Sequence, residues 1–142
     1  MKNYMFIFSI LLFAYCANIV PPEGGPKDVS APKLNFANPP NKHVNFSQNK
    51  IELIFDEYVQ ISDHTNIQLS PVCEPKPKIE VRGKKIIINL NCPLEPESTY
   101  SINFGQTIVD VNEKNQLKNF KYVFSTGNRI DSLYLEGAVK NL

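Results

Sequence analysis

Apolar and polar residues alternate with period two in several short runs of the chain, the pattern of half-buried β-strands. Lys50–Phe55 places Ile51, Leu53 and Phe55 on one face. Ile86, Ile88 and Leu90 share a face within Lys84–Asn91, as do Tyr100, Ile102 and Phe104 within Tyr100–Val109 and Phe120, Tyr122 and Phe124 within Asn119–Thr126. Three shorter runs, Leu34–Ala37, Ile67–Ser70 and Lys78–Val81, bring the predicted strands to seven. Pro, Asn, Gly and Asp separate them at fairly even spacing, as in an antiparallel sandwich or barrel. Arg82-Gly83 is expected to form a two-residue hairpin turn in which glycine supplies a positive φ. Each inward side chain contributes about 1.5–3 kcal/mol when fully buried, so the two aromatic-rich final strands are expected to carry much of the stability.

The N-terminal segment follows a different pattern. Lys2 precedes Tyr4–Tyr15, in which Ser9 is the sole residue that is not hydrophobic, and such a charged start with a short apolar stretch is an export leader. A spanning helix needs about 20 apolar residues, and Asn18 followed by Pro21-Pro22-Glu23-Gly24-Gly25-Pro26 ends the stretch too early. Phe13-Ala14-Tyr15-Cys16 resembles a lipobox, although Tyr15 stands where that motif has a small residue. The resemblance implies a signal peptide over 1–15, cleavage before Cys16 and acylation of Cys16; the alternative is an ordinary cleaved signal with Cys16 in a spacer. The two or three acyl chains of such an anchor hold persistently, because each buried methylene adds about 0.8 kcal/mol. Residues 16–32 then read as lipidated cysteine and flexible tether, rich in Pro, Gly and small residues, and 33–128 as the folded domain.

Composition narrows the partners. With 142 residues, 42% of them hydrophobic, the chain can bury one core. Eleven prolines, no tryptophan and many β-branched and aromatic residues favour an all-β fold. The formal charge is +1 and falls to zero once Lys2 leaves with the leader, so no electrostatic footprint points to nucleic acid. Three cysteines form an odd set, which is resolved if Cys16 carries lipid and the others serve a different purpose.

Leu94-Glu95-Pro96-Glu97-Ser98-Thr99-Tyr100 sets a proline-bearing loop before a strand-entry tyrosine, the arrangement of a tyrosine corner in Greek-key sandwiches. Further blocks are Gly24-Gly25-Pro26-Lys27-Asp28, Pro39-Pro40-Asn41, Phe55-Asp56-Glu57-Tyr58-Val59, Thr99-Tyr100-Ser101-Ile102-Asn103-Phe104, Ile108-Val109-Asp110 and Phe124-Ser125-Thr126-Gly127. In this order they resemble the bacterial Ig-like domain of SbsA type found near the N-terminus of Bacteroidetes-type lipoproteins. The resemblance implies an immunoglobulin-like antiparallel Greek-key sandwich without catalytic activity, often the first of several domains. Ile130–Val139 accordingly reads as the opening strand of a following β domain over 129–142, which would make the chain a fragment; an added edge strand or a tail is the alternative.

Cys73 and Cys92 lie equally far from the Arg82-Gly83 turn, so a straight hairpin would place them opposite each other. A disulfide there closes a loop of about 20 residues and is worth about 3 kcal/mol; two separate free thiols are the alternative. Zinc would need about four ligands, and neither His43 nor His64 lies at ligand spacing from a cysteine. Asp110, Asn112, Glu113 and Asn115 offer oxygen atoms for calcium, but the spacing departs from the EF-hand pattern and reads as an Asx-rich strand connection. Asp56 and Glu57 are neighbours at a strand end and point to opposite faces, which does not suit an acid–base pair. Lys76, Lys78, Lys84 and Lys85 make a basic hairpin of the kind that protects an edge strand from aggregation; anion or glycan binding is the alternative. No cofactor motif is present. The expected function is that of a non-enzymatic, lipid-anchored envelope protein, held at the outer membrane by lipid on Cys16. Its Ig-like domain would act as a spacer or interaction module, and the alternative is carbohydrate or peptide binding through aromatics such as Tyr58 or Tyr134. The protein or glycan partner is undefined by the sequence, as is the face of the membrane.

Overall fold

The computed structural model describes residues 25–131. The leader, Cys16, the first part of the tether, Tyr134 and most of the Ile130–Val139 run lie outside the described residues.

Among the described residues nine strands are formed: β1 (Leu34–Asn38), β2 (Lys50–Phe55), β3 (Val59–Ile61), β4 (Gln68–Ser70), β5 (Lys78–Arg82), β6 (Lys85–Asn89), β7 (Thr99–Gly105), β8 (Ile108–Asp110) and β9 (Phe120–Ser125). They make a four-stranded sheet in the order β1-β2-β6-β5, a three-stranded sheet β4-β7-β9 and a two-stranded pair β3-β8. Every strand pair is antiparallel, giving an all-β sandwich: the alternation allows a sandwich or a barrel, and the sandwich is the form that the resemblance implies.

Two expectations about the strands need correction. Tyr100–Val109 is two strands, because Gly105 adopts φ +57° and Thr107 folds back to donate both its N–H and its hydroxyl to the Phe104 carbonyl, at 3.0 and 2.8 Å. The chain thereby leaves the three-stranded sheet and pairs instead with Val59–Ile61, a strand too short for its alternation to be seen in sequence. The β5–β6 hairpin also closes one residue later than expected. Arg82 pairs with Lys85, so Gly83-Lys84 form the turn, with Gly83 at φ +65° in the first loop position, where a type II′ turn requires glycine.

The inward faces meet in one core. Ile51, Leu53, Phe55, Ile86, Ile88, Tyr100, Ile102, Phe104, Ile108, Tyr122 and Phe124 are all fully buried in it. Phe124 lies at its centre of contacts, 4.3 Å from the Phe46 ring and stacked on Tyr100 at 5.3 Å. The two buried tyrosines carry their hydroxyls to main-chain partners. Tyr100 accepts the Glu95 N–H at 2.8 Å, completing the tyrosine corner, and Tyr122 donates to the Pro39 carbonyl at 2.8 Å. Burial pushes the Tyr122 phenol up to about 12.

On the outer face of the large sheet Ile87 is nevertheless buried. It pairs with Glu52 on one side and Glu80 on the other. Each of these carboxylates bridges two cations, Lys50 and Lys85 for Glu52, Lys78 and Arg82 for Glu80, at 2.6 to 3.1 Å. Such exposed pairs are individually worth at most about 1 kcal/mol. Their larger effect here is to lay long aliphatic stems beside an isoleucine that would otherwise face water.

Candidate functional site

Two connections run directly between the four-stranded and the three-stranded sheet. One runs from β4 to β5 and contains Cys73; the other runs from β6 to β7 and contains Cys92. The structure brings these residues together, with Sγ atoms 1.93 Å apart and Cα atoms 5.7 Å apart, both nearly buried. Hairpin symmetry is not what unites them. In the observed register position 92 would face position 75, but the strand ladder ends at Lys78 and Pro71, Pro75 and Pro77 turn the chain off the hairpin line.

Between the outer edges of β4 and β5 lies a cleft of about 470 Å³ that reaches inward to Ile102. Its walls include Ile67, Leu69 and Ile79, half-buried apolar residues that face the core. Lys76 and His64 stand at its rim. His64 is exposed, as a loop histidine is expected to be, whereas His43 is half-buried edge-on to Phe46 and its main chain is tied to β9.

A different grouping forms where β2 ends. Asp56 accepts the Lys33 N–H at 2.8 Å, fixing the entry of the chain into the domain. Glu57 is half-buried rather than solvated. Burial, joined by the charges of Asp110, Asp56, Asp28 and Glu113, holds its carboxyl above the ordinary value. These carboxylates come from three distant parts of the chain, so no local spacing announces them. Among the described residues no group of His, Cys, Asp or Glu converges closely enough to hold a metal ion.

Asp110 explains why the neighbouring loop is polar. It is 1% exposed, its Oδ1 accepting N–H bonds from Glu113 (2.6 Å) and Lys114 (3.1 Å) and its Oδ2 from Asn115 (2.7 Å). Burial alone would raise its pKa, but the main-chain donors of Asn115, Glu113, Lys114 and Asn112 outweigh it and leave the carboxyl below the ordinary value. Both oxygens are therefore turned to the loop's own backbone, and Asn115 reaches on to the Asp28 carbonyl at 3.1 Å. The loop is an Asx-closed connection that also holds down the start of the domain.

Tyr58 is 61% exposed. Its ring lies over the β5–β6 turn: a Cβ on Gly83 would stand 3.4 Å from Tyr58 Cε1, and Lys84 Nζ is 5.7 Å from the ring centroid. Lys84 also donates to the Asp56 carbonyl at 2.6 Å. Lys84 is thus engaged in holding this corner as well as in blunting the hairpin.

The model of the bacterial Ig-like domain matches residues 28–126, from the first carboxylate of this grouping to the end of β9. The chain belongs to the bacterial Ig-like domain family. The matched residues take in every strand of the described sandwich. Among solved structures, the N-terminal part of the bacterial S-layer protein SbsC is similar at a TM-score of 0.46 and 15% identity, over 69% of this chain and 24% of that one. PcoC, a methionine-rich copper resistance protein from Escherichia coli, is similar at a TM-score of 0.46 and 17% identity, over 68% of this chain and 98% of that one. No curated protein sequence matches the chain.

Proposed function

We propose that this is a non-enzymatic, lipid-anchored protein of the bacterial outer envelope whose Ig-like domain acts as a spacer or interaction module. The carrying observation is the placement of Cys16 at the end of an apolar leader, a short tether ahead of a domain of the bacterial Ig-like family. The way the buried polar groups are used supports the same reading. Asp110, Tyr100, Tyr122 and Thr107 each bond to main chain and so serve the fold. The pairing of Cys73 with Cys92 belongs to this proposal, since a disulfide fits an oxidising compartment outside the cytoplasm. The finer kinship, with SbsA-type domains that open Bacteroidetes-type lipoproteins, is proposed on the ordered blocks of sequence. Intact mass of the protein extracted from membranes tests the anchor: loss of residues 1–15 with added acyl mass is expected, and Cys16→Ala should move the protein to the soluble fraction. Unacylated protein in the membrane fraction would refute it.

A second reading, glycan or peptide binding at the cell surface, draws on the exposed Tyr58 ring. Saturable binding on a glycan array that is lost in Tyr58→Ala would favour it. Absence of binding across the array would favour the spacer.

A further inference from the structure

We propose that the cleft between β4 and β5 binds a small amphiphile with an aliphatic or aryl body and a carboxylate head. The inference is independent of how the chain is anchored. A cavity of about 470 Å³ is of the size that holds small organic ligands. Its floor is apolar and continuous with the core: Leu69 pairs with the fully buried Ile102, and Ile79 with the fully buried Ile88. These side chains keep part of their surface open to the cleft, which an aliphatic or aromatic body would cover.

Charge selects the head group. Lys76 and His64 line the cleft, and no Asp or Glu does. Lys76 takes part in none of the ion pairs among the described residues, whereas Lys78, two positions on, is held by Glu80. An ammonium without a carboxylate partner at the mouth of an apolar cleft is complementary to an anion carried on an apolar stem. The alternative occupant, an extended peptide added to a sheet edge, fits the cleft poorly. β4 is three residues long and is followed directly by Pro71, and Pro75 and Pro77 remove main-chain N–H donors from the connection to β5. Recognition must then rest on apolar contact and one cation. The join of Cys73 and Cys92 holds that connection in place, so the cleft is formed before a ligand arrives.

Decanoate, kept below its micelle concentration, is the probe, and methyl NMR of the full chain is the readout. Saturable shifts confined to the Ile67, Leu69, Ile79 and Ile102 methyls are expected. Affinity should rise about four-fold for each methylene from hexanoate to decanoate, the transfer free energy of one buried CH₂ expressed as a binding ratio. Lys76→Glu should weaken binding ten-fold or more with the spectrum of the folded core retained. Lys121→Glu, an equal charge change on β9, should leave it unaltered. Decanol, with the same chain and no charge, should bind as weakly as decanoate binds to Lys76→Glu. The proposal is overturned by shifts that do not saturate or scatter over the domain, by equal losses in the two lysine variants, or by affinity that does not depend on chain length. A response to anionic vesicles with none to monomeric decanoate would also overturn it, in favour of a membrane surface.

Discussion

Replacing Asp110 with Asn tests whether one buried carboxylate organises the loop that closes the domain. The substitution keeps the shape of the side chain but turns one acceptor oxygen into an NH₂ group. Both oxygens accept from main-chain N–H groups, Oδ1 from Glu113 and Lys114 and Oδ2 from Asn115. Neither orientation of the amide can therefore satisfy all three, and one donor must face another. A hydrogen bond to a charged group is worth about 1.5–3 kcal/mol, and at least one is lost while the rest lose their charge. A destabilisation of about 2–4 kcal/mol follows. At roughly 4 °C per kcal/mol for a domain of this size, the melting temperature falls by about 8–16 °C. The sign of the pH dependence is fixed by the lowered pKa. Asp110 contributes stability that is fully present above the unfolded carboxylate value of about 3.9 and disappears as pH falls through the lower folded value. Urea unfolding of the two proteins from pH 7 down to pH 2 should show curves far apart at neutral pH that converge in acid. Adding or chelating calcium should leave both melting temperatures in place, because the carboxylate oxygens are already taken by the backbone. A variant within about 0.5 kcal/mol of the parent at pH 7, or a gap that persists unchanged to pH 2, would refute the reasoning.

Two further perturbations bear on the core and the crossovers. Cys73 and Cys92 are separated by 19 residues, so Cys73→Ala with Cys92→Ala should cost about 3 kcal/mol by loop entropy, or about 12 °C in thermal melting; peptide mapping of the parent without reductant should yield the two cysteines linked, and finding both alkylated would refute the pairing. Tyr122 keeps its proton to about pH 12 when folded, against a usual value of 10.0. The unfolded chain therefore loses that proton first, and the domain should shed about 2 kcal/mol as pH rises from 10 to 12. Tyr122→Phe should cost about 1 kcal/mol at pH 7 and lack this part of the alkaline loss. Parallel alkaline curves for the two proteins would exclude Tyr122 as its source.

The strands that form the core were legible because a period of two is written in consecutive residues. Ile51, Leu53 and Phe55, or Tyr100, Ile102 and Phe104, have to share a face in any extended chain. The tyrosine corner was legible for the same reason, since Tyr100 reaches only five residues back to Glu95. Asp110 was visible as an Asx loop because its partners follow it directly.

What lay beyond the sequence depends on where the chain reverses and which sheet it joins. One residue of error at the Gly83 turn changes every cross-strand partner in the hairpin. The positive φ of Gly105 decides that Ile108–Asp110 pairs with β3 and not with the three-stranded sheet. Residue order was enough to specify an all-β domain of alternating strands preceded by an apolar segment that ends near Cys16. Only long-range packing brings carboxylates from three parts of the chain around Glu57, lays Tyr58 over the Gly83 turn, and leaves an apolar cleft between β4 and β5. Alternation is a local property of the backbone, whereas proximity between sheets arises only once the connections have folded and the core has packed.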